Sequence, residues 1–217
     1  MNIQKLYINR FSPEELERKN KIWKILTKCF FQQFIDKDNT VVDIGAGYCE
    51  FINNISCRKK FAIDINPDIK NYAHKDVEII NEISISMHSI DDQAIDVVFM
   101  SNFLEHLKSK EEVLKTFQEI KRILCKNGKV IILQPNIKYL FKEYWDFFDH
   151  HTPLTDLSLC EALQISGFTI FKNFPKFLPY TTKSKIPKNP FLVRMYLKVP
   201  LIWNLMGKQC CVIAINK

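Results

Sequence analysis

Short apolar runs recur through the first two thirds of the chain: VVDIG at 41–45, FAIDI at 61–65, VEIINEI at 77–83, IDVVFM at 95–100 and VIILQP at 130–135. Each is rich in β-branched residues and is followed by a longer polar or amphipathic stretch, the alternation of strands with crossover connections. The runs are continuously apolar, not alternating, so both faces of the sheet are covered and the strands are expected to be parallel.

Helix signals fit between and around these runs. Ser12 as N-cap, Pro13 at the first helical position and Glu15 three residues after the cap predict a helix that continues to Ile35. Ser109 and Glu112 predict a second capping box, followed by Val113, Phe117, Ile120 and Leu124 at helical spacing, with Gly128 as the stop. A third helix is expected from Thr155 to Ser166, ending at Gly167. Beyond it the alternation ceases. FTIFKNF (168–174) and CCVIAIN (210–216) read as strands, but the segment between them is rich in Pro, Lys and aromatics and has room for at most one helix, so the two are expected as an antiparallel pair with a long insertion. The predicted fold is α/β: a doubly wound seven-stranded sheet, five strands parallel and the last antiparallel, with helices on both faces. We expect one domain over 1–217, with a helical segment at 1–38, a core at 39–136 and substrate-side elements at 137–217 that include a basic insertion at 175–208.

Composition narrows the class. Hydrophobic residues make up 47% and charged residues 25%, which suits a globular chain with a sizeable core. No apolar run of ~18 residues and no leader-like apolar stretch is visible, so a cytoplasmic protein is expected. Seven cysteines without Cys-x-x-Cys spacing read as reduced thiols, and no metal site is expected. The net charge of +7 is unevenly placed: after Glu161 there are nine cations and no acid, whereas the first 161 residues carry 22 cations and 24 anions. The basic third either meets something anionic or is a solvated face.

The candidate chemistry begins at DIGAGYCEF, which holds two of only five glycines, directly after the first strand. A strand-to-helix turn needs Gly where the backbone turns sharply and where a ligand approaches without a Cβ in the way, and a following helix would aim its N–H groups there. Asp64 ends the second run 19 residues after Gly45. An acid about 20 residues past such a turn accepts hydrogen bonds from ribose hydroxyls, so turn and acid together predict a nucleoside site. A nicotinamide dinucleotide is disfavoured, because the third glycine of its Gly-x-Gly-x-x-Gly turn is replaced by Glu50, a poor neighbour for a pyrophosphate.

VVDIGAGYCEF resembles motif I of class I S-adenosylmethionine-dependent methyltransferases, AIDIN their ribose-binding acidic strand end, and IDVVFMSNFLEHL with IKRILCKNGKVIIL their fourth and fifth strand regions. The continuation PNIKYLFKEYWDFFDHHTPLTDLSLCEALQISGF and FLPYTTKSKIP is similar to a bacterial subfamily often associated with cell-surface saccharide genes. The resemblance implies a Rossmann-like fold and S-adenosylmethionine as cofactor. It places Asp43, Gly45, Ala46 and Gly47 against the methionine part, and Asp64 and Ile65 at the ribose and adenine edge. Ser84 and Ile85 would flank the adenine, with Glu82 nearby, and Ser101, Asn102 and Phe103 would lie beneath the sulfonium. One departure is Cys49, where the family usually has a third Gly; a slightly narrower loop is expected.

Methyl transfer chiefly demands alignment and exclusion of water, but a hydroxyl acceptor benefits from a base with a pKa near neutrality. His106, at the carboxyl end of the fourth strand, and His150, with Asp146 and Asp149 nearby to orient it, are the two candidates; His74 and His88 are expected at the surface. Tyr144, Trp145, Phe147 and Phe148 are either core or a platform for stacking a sugar ring. The expected acceptor is a small molecule or a saccharide, methylated on oxygen, and lipid-linked if the segment 190–208 lies on a membrane surface. That segment is alternatively a lid whose cations meet a phosphorylated acceptor or water. A nucleic-acid methyltransferase would account for the basic surface, but SNFL stands where base methylases commonly carry Asn-Pro-Pro-aromatic. The glycine turn and Asp64 would also serve a catalytically silent cofactor-binding protein or, less well, an NAD-dependent oxidoreductase.

Overall fold

The computed structural model describes residues 12–180 and 189–217. Lys183, Lys185 and Lys188 of the basic insertion, and all of TTKSKIP, lie outside the described residues. Helix α1 (Pro13–Cys29) starts as its capping box requires: Ser12 Oγ accepts the Glu15 N–H at 3.3 Å and the Glu15 carboxylate accepts the Ser12 N–H at 2.9 Å. It stops short of Ile35, and a 3-10 turn at Phe31–Phe34 completes the segment.

Seven strands form one sheet: β1 (Thr40–Ile44), β2 (Lys59–Ile63), β3 (Val77–Ile80), β4 (Ile95–Ser101), β5 (Leu124–Pro135), β6 (Phe168–Leu178) and β7 (Gln209–Asn216). Their order is β3-β2-β1-β4-β5-β7-β6. The first five are parallel, and β7 enters antiparallel between β5 and β6, as the predicted antiparallel pair with a long insertion requires. β1 and β4 lie side by side at the centre, where the strand order reverses, so the segments leaving their carboxyl ends diverge and open a crevice.

The helical cover is uneven. On one face α1, with α5 (Pro190–Lys198) and α6 (Pro200–Met206), closes a core that includes Trp23, Phe31, Phe99, Phe177 and Trp203. On the other, α2 (Lys110–Ile123) and α4 (Asp156–Ile165) bury Phe117, Ile120, Leu159 and Leu163. A short helix α3 (Phe141–Tyr144) follows β5.

Several expectations are corrected. No α-helix follows the glycine turn, because Asn side chains draw that connection into turns: Asn54 Nδ2 donates to Glu50 O at 2.8 Å, while Asn53 donates to Tyr72 O and accepts from the His74 N–H. The next crossover holds only a 3-10 helix (Pro67–Asn71), and β3–β4 has an isolated bridge between Ile83 and Ser86. Helix α2 ends at Ile123, so Gly128 lies inside β5, beside a break in register with β4, and is no helix stop. Ser109 caps α2, but Glu112 reaches back to the Lys108 N–H, one residue outside a true box. The long insertion holds two helices, since Pro200, lacking an N–H, starts a second one where the first ends. Both pack on the sheet face: Tyr196 OH donates to Phe177 O at 2.6 Å and Trp203 Nε1 to Tyr196 O at 2.8 Å.

Candidate functional site

The turn after β1 is built from unusual backbone. Gly45, Gly47 and Cys49 have φ of +69°, +53° and +59°, in the left-handed region that favours glycine. The N–H groups of Gly45 and Ala46 both donate to Ile63 O, at 2.8 and 3.2 Å, and tie the turn to the end of β2. Cys49 is thus a side chain at a glycine-type position; it is fully buried, and its N–H donates to Ala46 O at 2.7 Å. The missing third glycine is a conformational departure rather than a matter of side-chain size. At Gly45 an added Cβ would sit 2.3 Å from the ring of Phe103, so that ring shapes the turn by packing directly on it.

Asp64, just beyond β2, closes the turn from the other side. Its Oδ2 accepts the Gly47 N–H and its Oδ1 the Asn66 N–H, both at 2.8 Å. Each carboxylate oxygen keeps a second lone pair. Asp43, at the end of β1, is buried, and burial first, then the nearby charges of Glu50 and Asp64, hold its carboxyl well above the usual range. Burial likewise raises Asp64, against the lowering effect of its backbone hydrogen bonds. Glu50 pairs with Lys19 of α1 at 3.0 Å. Three carboxylates around one turn make a poor seat for a pyrophosphate and a good one for a cation.

An open cleft runs from this turn toward the carboxyl end of β4. Of the anticipated residues, Asp43, Gly45, Ala46, Gly47, Ser101, Asn102, His106 and His150 all line it. Asp64, Ile65 and Phe103 are not on its wall: Asp64 reaches it only through its bond to Gly47, Phe103 packs on Gly45, and Ile65 is half exposed. Ser84 is turned away: its buried hydroxyl shares a 2.8 Å hydrogen bond with Thr116 of α2. Neither it nor Ile85 is part of the cleft wall. Glu82 is bound to Ser89.

The two histidines meet, with ring centroids 5.1 Å apart. Asp149 orients His106: its carboxylate and its main-chain oxygen each lie 3.1 Å from His106 Nδ1. Burial works against a charged His106, but Asp149 and Glu105 outweigh it, and the pKa is raised above the ordinary value. His150 Nδ1 donates to Tyr144 O at 2.9 Å, and Phe147 stacks on its ring at 4.9 Å. The four aromatics of 144–148 therefore divide: Tyr144 is core, Phe147 lines the cleft, and Trp145 and Phe148 face outward. Sequence reasoning missed Glu50, Glu105, Phe99, Trp23 and Gln209 as cleft residues. Glu50 and Glu105 were visible within the motifs, whereas Trp23 and Gln209 arrive from distant segments without a local signal.

The electrostatics predict a trade of stability against binding. Asp43 has a folded-state pKa above its unfolded one, so its contribution to stability is complete below about pH 4 and is lost as pH rises through the folded value. Asp43→Asn is therefore expected to raise the melting temperature at neutral pH, by about 2–4 °C per kcal/mol recovered, with the gain vanishing in acid. Thermal unfolding at several pH values checks this; an equal effect at all pH values would contradict it.

The methyltransferase domain family matches residues 42–132. An uncharacterized protein of Methanocaldococcus jannaschii is 33% identical over 156 residues, a match that takes in 70% of this chain; the chain spans 64% of that relative's length. Among solved structures, a chain of the Haloferax volcanii complex between the Trm112 methyltransferase activator and a methyltransferase is similar with a TM-score of 0.67 at 14% identity, covering 91% of this chain and 90% of its own. A SAM-dependent methyltransferase from Archaeoglobus fulgidus gives 0.64 at 19% identity, covering 90% and 94%. Residues 42–132 thus match a methyltransferase domain, and the chain has the seven-stranded fold seen in S-adenosylmethionine-dependent methyltransferases.

Proposed function

We propose that the chain transfers a methyl group from S-adenosylmethionine to an oxygen of a small-molecule or saccharide acceptor. The observation that carries this reading is the trio of Asp43, Glu50 and Asp64 around a left-handed glycine turn. S-adenosylmethionine, when bound, supplies a methyl group activated by a sulfonium charge. Asp64, already fixed by two backbone N–H groups, accepts the ribose hydroxyls through its remaining lone pairs. Ile65, half exposed after Asp64, covers the adenine edge. Asp43 and the 45–47 backbone take the methionine part, while Ser101 and Asn102 form the floor and Phe103 braces Gly45 from below.

At the other end of the cleft His106 and His150 receive the acceptor. With Nδ1 of each ring bonded to oxygen, Nε2 is the nitrogen able to take a hydroxyl proton. Phe147 offers an aromatic face for a sugar ring beside them.

A second observation bears on the acceptor. Helices α5 and α6 leave Phe191, Leu192, Met195, Leu201 and Leu205 outward, on a segment with Arg194 and Lys198 and no acid. Neither helix lines the cleft, so the lid alternative loses its support among the described residues. An apolar face with cations suits a membrane surface, and with it a lipid-linked acceptor at the inner face of a membrane. Among the described residues no helix is long and apolar enough to cross one. Sedimentation with anionic liposomes at low salt is expected to pull the chain down, and Leu201→Glu with Leu205→Glu to release it. Failure to sediment where electrostatic attraction is strongest would remove this reading.

Asp64→Ala tests the cofactor site. Loss of a charge-assisted hydrogen bond costs about 1.5–3 kcal/mol, so S-adenosylhomocysteine should bind roughly tenfold or more weakly by calorimetry, with a matching rise in KM for the methyl donor. Unchanged affinity would overturn the placement of the nucleoside. Methyl incorporation from labelled cofactor into an extract separates an enzyme from a silent cofactor-binding protein.

A further inference from the structure

We propose that Glu105, His106 and His150 bind a divalent transition-metal cation through one carboxylate oxygen and two imidazole Nε2 atoms, inside the cleft that holds the glycine turn. Its place next to a methyl donor rests on the function proposed above; the binding of the ion does not.

His106 Nδ1 faces the carboxylate and the carbonyl oxygen of Asp149, and His150 Nδ1 faces the carbonyl oxygen of Tyr144. All three partners are acceptors, so both Nδ1 atoms carry hydrogen, and in each neutral ring the lone pair lies on Nε2. Imidazoles held from behind by oxygen in this way are the usual form of metal-binding histidines. Beside them Glu105 is 3% exposed, and a carboxylate oxygen of Glu105 and one ring nitrogen of each histidine lie within 4.8 Å of one another. Ligand bonds of about 2.0–2.2 Å would draw them to roughly 3–3.4 Å apart, a movement within the reach of side-chain rotation.

The scaffold that brings them together is stiff. The main-chain N–H groups of His151 and Thr152 donate to Glu105 O at 2.7 and 3.2 Å, and Thr152 Oγ1 donates to Leu107 O at 2.6 Å. These bonds lock the two segments face to face across more than forty residues of sequence.

Two further atoms point to a polar occupant. The Tyr144 hydroxyl, in a fully buried side chain whose ring lies 4.6 Å from that of His150, has no hydrogen-bond partner among the described residues. Nor does Oε1 of Gln209, 5% exposed on the wall of the same cleft. Water on a bound cation would serve such groups. Two imidazoles with one carboxylate suit Mn²⁺, Fe²⁺, Co²⁺ or Zn²⁺ rather than Mg²⁺ or Ca²⁺. Three protein ligands also leave coordination positions open, which oxygens of an acceptor, such as vicinal hydroxyls, would fill; with the ion bound, the metal would take the place of the Nε2 base by lowering the pKa of the hydroxyl it holds.

Cobalt is the probe. The full chain, freed of metal by chelator, is titrated with Co²⁺ alone and followed by its visible absorption and by proton NMR. One equivalent should saturate the chain, and two exchangeable, strongly shifted protons should appear, one from each Nδ1–H. Saturation without those two signals, or no saturable binding, overturns the proposal. Glu105→Gln and Asp149→Asn are each expected to weaken binding tenfold or more, the second because Asp149 positions His106; unchanged affinity in both, with folding checked by circular dichroism, would also overturn it. S-adenosylhomocysteine is titrated in parallel. Cobalt without the nucleoside sinks the methyltransferase reading and leaves the metal site, and the nucleoside without cobalt does the reverse.

Discussion

The turn that joins the end of β1 to the end of β2 is the constraint on which the site depends. Gly45, Gly47 and Cys49 stand in left-handed conformations, and the backbone they redirect is fastened at three points: two N–H groups on Ile63 O and one on the Asp64 carboxylate. Parallel pairing of β1 with β2 and β4 brings Asp43, Asp64 and Ser101 to the same edge of the sheet. The turn then opens space between them that a regular loop with Cβ atoms would fill. A cysteine at the third left-handed position stores some strain there, of order 1 kcal/mol, and its burial helps to hold it in place.

The acids close to this turn explain why the site favours a cation. A buried Asp43 whose carboxyl is held high by its neighbours is costly to ionise alone and becomes easy to ionise beside a positive ligand. The pocket is thus more favourable loaded than empty, which is the stability a functional site gives up. At the far end of the cleft the charges are arranged differently: each histidine is fixed from behind by oxygen, both lie by Glu105, and His150 stacks on Phe147.

Much of this was legible in the residues. The capping box at Ser12, the helix expected from Thr155, the apolar runs and the break in alternation after Gly167 led to the right sheet, because each is a local signal for a local structure. What local signals missed was set by side chains acting at a distance. Asn53 and Asn54 compete with helix formation after the glycine turn, Thr116 of α2 captures the hydroxyl of Ser84, and Asp149 reaches His106 from 43 residues away. The meeting of Glu105 and His106 with His150 had no periodicity to announce it, since it exists only through hydrogen bonds between chain segments far apart in sequence. Gly128 misled for another reason: a glycine after a helical run also serves a strand at a register break.

The central claim is that the carboxylate-ringed turn selects a cationic nucleoside over a pyrophosphate. Parallel calorimetric titrations of the unmodified chain with S-adenosylmethionine and with NADH test it most directly. The account predicts saturable one-to-one binding of S-adenosylmethionine and none of NADH; binding of NADH without S-adenosylmethionine would contradict it.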